Sequence, residues 1–132
     1  MVELNDAKKG DCDFVYKLRT LEEDKQNYKS RDEISIEQHK VFWEKNYKKY
    51  KMIKFKNKVI GYCGLVNGDY RFAVIPEYRG MGIGKKAVEL CREMIGDNKI
   101  FVMRDNIASI KCFTHNGYEV VGESSNFLIM QK

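Results

Sequence analysis

Between Ile75 and Ile83 the chain changes its hydrophobic period, and it does so through the stretch Pro76-Glu77-Tyr78-Arg79-Gly80-Met81-Gly82. Upstream, Met52 to Phe55, the polar turn Lys56-Asn57-Lys58 and Val59 to Val66 read as a hairpin. Asn67-Gly68-Asp69 is a second tight turn into Tyr70 to Ile75, so three consecutive strands form an antiparallel meander. Pro76 stops the third strand because it has no N–H for the ladder. Downstream, Ile83, Ala87, Leu90, Cys91 and Met94 share one helical face, with Lys86, Glu89 and Glu93 opposite and Gly96 at the end. The chain must therefore carry a strand into a helix through a glycine-rich loop, directly after an antiparallel meander.

The flanking segments complete a mixed α/β (α+β) pattern. Val2 to Asn5 fits a first strand, and Gly10-Asp11 introduces a helix with Phe14, Leu18 and Leu21 on one face. After the polar stretch Leu21 to Arg31, Ser35 and Gln38 have capping-box spacing, and Ile36, His39, Trp43 and Tyr47 recur on one side of a second helix. Lys99 to Met103 is a compact buried strand, Ser109 to His115 a short helix closed by Asn116-Gly117, and Tyr118 to Gly122 and Phe127 to Met130 are two last strands. At 132 residues and 43% hydrophobic the chain can bury one core, so residues 1–132 are expected to form a single domain. No leader peptide or membrane-spanning run is visible, which predicts a soluble, cytoplasmic protein.

Composition excludes several chemistries. Cys12, Cys63, Cys91 and Cys112 are scattered beside apolar segments without a CxxC pair and read as reduced thiols. His39 and His115 are too isolated for a metal cluster, so no metal is expected. The formal charge of +5, with lysines dense between Lys45 and Lys58, favours anionic partners. Lys54, Lys56 and Lys58 alternate as an outward strand face would, and the 19 acids argue against a nucleic-acid partner. A homodimer is compatible with the sequence.

The loop itself points to a bulky anion. Gly80, Gly82 and Gly84 let the backbone approach closely, and the first N–H groups of the following helix have no internal partner. A pyrophosphate suits such a site, with Arg79 and Lys85 or Lys86 adding charge. A nucleotide P-loop fails on spacing, since Gly80 to Gly84 leaves three residues and Lys85 is followed by Lys86 rather than Ser or Thr. A dinucleotide fingerprint fails too, because its third glycine would come one residue later and its parallel sheet does not suit the meander.

These residues resemble the GCN5-related N-acetyltransferases, whose signature Arg/Gln-x-x-Gly-x-Gly/Ala follows Val-x-Pro. Here Val74-Ile75-Pro76 precedes Arg79-Gly80-Met81-Gly82-Ile83-Gly84, and Asn106, Ser109, Phe113 and Gly117-Tyr118 resemble the family's second block. The resemblance implies a central, mixed, mostly antiparallel twisted sheet flanked by helices. It implies acetyl-coenzyme A as cosubstrate, bound by the backbone from Gly80 through Met81, Gly82, Ile83 and Gly84 to Lys85. Val74 would pair with the pantetheine arm like an added strand, Asn106 would bond that arm, and Phe113 would lie beside it. Asn106 also reads as a helix cap.

In the family a Tyr seven residues after the Asn protonates the departing thiolate, and here that position is Phe113, which has no proton to give. Tyr118 is a candidate substitute and solvent an equal one. For a base, the resemblance offers Asp69, Tyr70 and Glu77 around the strand facing the acetyl group, and His39 on the helix that forms the substrate wall. Cys112 is a poor acyl carrier, with only His115 near in sequence. The resulting expectation is an N-acetyltransferase acting on a primary amine of a small molecule. Residues Arg31 to Trp43 weakly resemble the N-terminal helix of enzymes that modify nucleotide-linked amino sugars. A non-catalytic acetyl-coenzyme A-binding module and a peptide N-acetyltransferase are the alternatives.

Overall fold

The computed structural model describes residues 1–21 and 34–132. Its strands are β1 (Val2–Asp6), β2 (Tyr50–Phe55), β3 (Lys58–Val66), β4 (Asp69–Val74), β5 (Ile100–Met103), β6 (Glu119–Glu123) and β7 (Phe127–Gln131). The helices are α1 (Cys12–Arg19), α2 (Ile36–Asn46), α3 (Ile83–Leu90), α4 (Arg92–Ile95) and α5 (Ile107–His115). Both turns of the meander place two successive residues at positive φ, Lys56 (52°) with Asn57 (64°) and Asn67 (52°) with Gly68 (80°). That is the twist a two-residue hairpin needs, and Asn and Gly adopt it at low cost.

Among the described residues the strands form one sheet in the order β1-β2-β3-β4-β5-β7-β6. Every neighbouring pair is antiparallel except β4 and β5, which are parallel and share a single register pair, Asp69 with Phe101. The Phe101 N–H donates to the Gly68 carbonyl at 2.7 Å there. Gly68 is required at this vertex, since a Cβ would stand 2.8 Å from the Phe101 ring. Beyond it β4 stays paired to β3 along its length, from Val66 opposite Asp69 to Gly61 opposite Val74, while β5 pairs with β7. The sheet is therefore parted between β4 and β5.

Helices cover both faces. On one, α3, α4 and α5 close a core that includes Ile53, Ile60, Cys63, Tyr70, Ile100, Phe113 and Met130. On the other, α1 and α2 cover Tyr50, Met52, Tyr62 and Ala73. Trp43 of α2 is 2% exposed, and its indole N–H donates to the carbonyls of Lys8 (3.1 Å) and Lys9 (3.2 Å), so its burial leaves no polar atom unpaired. The capping box forms as expected: Gln38 N–H donates to Ser35 Oγ at 3.1 Å and Ser35 N–H to Gln38 Oε1 at 2.9 Å.

The structure departs from the sequence reading in three places. The expected helix from Ile83 to Gly96 is interrupted at Cys91 (φ −83°, ψ −3°), and Leu90 of the expected apolar face is 40% exposed while Val88 and Ile95 are buried. Lys56 lies in the hairpin turn and a register shift follows Ile53, so Lys54, Lys56 and Lys58 do not share one strand face. Residues 22–33, which hold most of the polar stretch and the start of the amino-sugar resemblance, lie outside the described residues. Among the described residues no helix is long and apolar enough to cross a membrane, and no group of His, Cys, Asp and Glu could hold a metal ion.

Candidate functional site

The backbone of β4 creates the site. Ile75 N–H donates to the Ile60 carbonyl at 2.8 Å. Antiparallel alternation then turns the amides and carbonyls of Tyr70, Phe72 and Val74 toward the other edge, from which β5 has departed. A cavity of about 460 Å³ lies along β4 between the loop and α5, walled by Phe72, Ala73 and Val74 of β4, by Tyr78 to Gly84 without Met81, and by α5 through Ala108, Ser109, Lys111 and Cys112.

The loop at the mouth is built from one tight turn and two left-handed glycines. Tyr78 N–H donates to Ile75 O (3.0 Å) and Arg79 N–H to Pro76 O (3.2 Å), which folds the chain back over the end of β4. Gly80 (φ 78°) and Gly82 (φ 77°) adopt a conformation that L side chains rarely take, and nothing lies within 4 Å of where a Cβ would be at either. The need there is for backbone conformation, with open space in front. Gly84 differs: its added Cβ would meet Cys112 Sγ at 2.8 Å and the Phe72 ring at 3.2 Å, so it lets α3 lie against α5 and β4.

Gly82 is also the residue before α3, and the first intrahelical bond runs from Lys86 N–H to Gly82 O at 3.3 Å. The amides of Ile83, Gly84 and Lys85 precede it and have no partner inside the helix, at its positive end. All three residues line the cavity, as does Lys111 from α5. Asn116 Nδ2 donates to both Lys85 O (3.0 Å) and Cys112 O (2.8 Å), which ties the two helices together behind the site.

Of the residues expected to bind a cofactor, Val74, Arg79, Gly80, Gly82, Ile83, Gly84, Lys85 and Asn106 are brought together in this cavity. Two of them carry structural bonds as well. Arg79 Nε donates to the Val74 carbonyl at 2.8 Å, pinning the loop to the strand end. Asn106 Oδ1 accepts from Ser109 N–H at 3.2 Å, the helix-cap reading. Met81 stands outside, 56% exposed. Phe113 does not line the cavity; it is fully buried between the rings of Tyr70 (4.7 Å) and Tyr118 (5.0 Å). The cavity side of α5 is carried by residues 108, 109, 111 and 112, and Phe113 is turned about 100° from Cys112, toward the sheet. That same spacing from Asn106 was the available signal for Ser109 and Cys112; Tyr78 and Lys111 had none in the motif.

None of the five residues expected to move protons lines the cavity, Tyr70 included, which is buried against Phe113. His39 is fully buried on the α1–α2 face, where its Nε2–H donates to Cys12 O (3.2 Å) and its Nδ1 accepts from Arg19 Nη1 (3.4 Å). Burial, with the Arg19 guanidinium next in weight, pushes its pKa down to about 4. Both ring nitrogens are engaged, which makes it a core histidine rather than a base. Asp69 is buried on that same face and paired with Arg71 at 3.1 Å, while Arg71 and Arg19 both lie over the Phe42 ring, at 4.9 and 5.3 Å. Glu77 is exposed on the turn after Pro76. Tyr118 is 4% exposed, packed on Phe113, with its hydroxyl pKa raised by burial.

Comparison with known proteins agrees with this geometry. Residues 13–118 match the model of the Acetyltransferase (GNAT) family. Among solved structures, the chain is similar to a GCN5-related N-acetyltransferase from Kribbella flavida, at TM-score 0.77 and 16% identity over 99% of this chain and 96% of that one. It is similar to the aminoglycoside acetyltransferase AAC(6')-Ib in complex with coenzyme A, at TM-score 0.76 and 15% identity over 100% and 94%. It is similar also to yncA of Salmonella typhimurium with its cofactor acetyl-CoA, at TM-score 0.70 and 16% identity over 100% and 93%. No curated protein sequence matches the chain.

Proposed function

The chain belongs to the GNAT family of acetyltransferases, and from that premise we propose that it moves the acetyl group of acetyl-coenzyme A to a primary amine of a small molecule. Acetyl-coenzyme A is the cosubstrate. The observation that carries the proposal is the parting of β4 from β5 beneath a glycine-opened helix start. The open space before Gly80 and Gly82 and the amides of Ile83, Gly84 and Lys85 fit a pyrophosphate, and Lys85 and Lys111 add positive charge on either side. The pantetheine arm runs along β4 at Phe72 and the Val74 amide, because Arg79 already holds the Val74 carbonyl. Asn106, with its Oδ1 spent on the cap, offers Nδ2 to that arm.

The amine attacks the thioester as the neutral base, and the thiolate leaves as the tetrahedral centre collapses. Phe113 supplies no proton and Tyr118 is packed behind it, so the thiolate takes its proton from solvent. A thiol pKa near ~8.5 makes that departure easy at neutral pH. For the acceptor, the formal charge of +5 supports a phosphate-bearing amine such as a nucleotide-linked amino sugar. Release of free thiol from acetyl-coenzyme A is to be measured across a panel holding a nucleotide-linked amino sugar, an aminoglycoside, a polyamine and a peptide amine. The nucleotide sugar is expected to give the highest kcat/KM. Preference for the peptide overturns the acceptor class, and tight acetyl-coenzyme A binding without thiol release for any amine overturns catalysis.

A further inference from the structure

Cys63, midway along β3, and Cys91, at the break between α3 and α4, bring their sulfurs to 3.0 Å in the core beneath the helices. Neither residue is more than 1% exposed. The function proposed above uses neither thiol. A disulfide needs an S–S distance of about 2.05 Å, so a relative movement of roughly 1 Å would close one.

The surroundings differentiate the two sulfurs. The two sulfurs share one hydrogen bond in which either can be the donor; that bond, together with Tyr70 and the Lys51 ammonium, holds the Cys91 thiol below its ordinary value against the opposing effect of burial. Cys63 is pushed well above its ordinary value by that same bond and by burial. An open groove of about 690 Å³, lined by Lys48, Lys49, Lys51, Leu65 and Met94, reaches Cys91 from outside. Cys91 thus lies beneath the floor of the groove, and Cys63 is seated behind it.

We propose that Cys63 and Cys91 form a redox-modification site that a peroxide closes to an intramolecular disulfide. The Cys91 thiolate attacks one peroxide oxygen, the O–O bond breaks, and Cys91 becomes a sulfenic acid with release of one water. The Cys63 sulfur then attacks the Cys91 sulfur, the S–O bond breaks, and a second water leaves. Two thiols are oxidised and one peroxide is reduced. The covalent ring so formed encloses β4, the glycine loop and α3, every one of which contributes to the cavity wall.

The test uses the whole reduced chain, treated with stoichiometric hydrogen peroxide, unfolded in iodoacetamide and digested without reductant. A peptide joining Cys63 to Cys91, two hydrogens lighter than its parts and separated by dithiothreitol, is expected. Loop closure should raise Tm by roughly 10 °C. Cys91→Ser should give neither the cross-link nor the rise. Recovery of alkylated Cys63 and Cys91 from peroxide-treated wild-type protein, or of sulfinic acid at Cys91, overturns the proposal and does not depend on any variant folding.

Discussion

On the α3 side of the sheet the polar groups stand at the rim of a cavity, whereas on the α1–α2 side His39, Asp69 and Arg71 are packed inside with their partners. The first side uses backbone where a catalytic inventory would look for side chains: two left-handed glycines, three helix-start amides and a strand edge. The second holds the titratable residues that a sequence reader is drawn to, and spends their hydrogen-bonding capacity on packing. A buried imidazole bonded at both nitrogens is committed to the packing of the core, whereas a glycine with nothing in front of it leaves room for the cosubstrate in the proposed function.

Breaking the first side should have the largest effect. Gly82→Val forces a β-branched residue to φ near 77° at the helix start, and is expected to abolish acetyl-coenzyme A binding in calorimetry while the circular dichroism spectrum stays nearly unchanged. Retained affinity would return the loop to an ordinary strand-to-helix turn.

The second side is tested through pH. His39 takes up a proton near 6.5 when unfolded but resists it to about 4 when folded, so the unfolded state binds more protons between those values and stability falls as pH drops through that window. The loss should approach about 3 kcal/mol by pH 4, a figure taken from the 1.36 kcal/mol per pKa unit of linkage. Urea unfolding of wild type and His39→Gln from pH 7 to 4 measures it; equal slopes for the two proteins would show that His39 is solvated after all.

A third experiment asks whether Gly84 belongs with its neighbours in the loop or with the packing of α3 on α5. Gly84→Ala drives a Cβ into Cys112 Sγ and should destabilise by about 2 kcal/mol, the scale of overpacking. Cys112→Ala in the same chain should recover most of that loss in thermal unfolding. The smallest expected change is in Tyr118→Phe, for which kcat should move less than about twofold if solvent protonates the thiolate, whereas a tenfold fall would make Tyr118 the acid.

The parts of the fold legible in the sequence were those fixed by local chemistry. Asn57 and Asn67-Gly68 wrote the two turns, Ser35 and Gln38 wrote a cap, and the glycines of the loop announced a helix start that opens onto free space. What lay beyond the sequence depends on direction through space. Whether Phe113 faces the cavity or the sheet turns on one residue's rotation about α5, and whether His39 is a base turns on Cys12 and Arg19, far from it in the chain. The hydrophobic spacing from Ile83 to Met94 reads as one continuous helix, and nothing in it marks the interruption at Cys91, whose side chain lies in the core beside Cys63.

The single pairing of Asp69 with Phe101 makes β4 and β5 the two arms of a lever whose fulcrum is Gly68 against the Phe101 ring. From Asp69 to Val74 the arm is about 17 Å long at roughly 3.3 Å per residue, so each degree of rotation at the fulcrum moves the cavity mouth by about 0.3 Å. Packing at the Gly68–Phe101 vertex therefore governs the width of the gap in which the cosubstrate is proposed to lie. A bulkier residue at position 68 would change the gauge of the site from its far end, with every lining side chain left as it is.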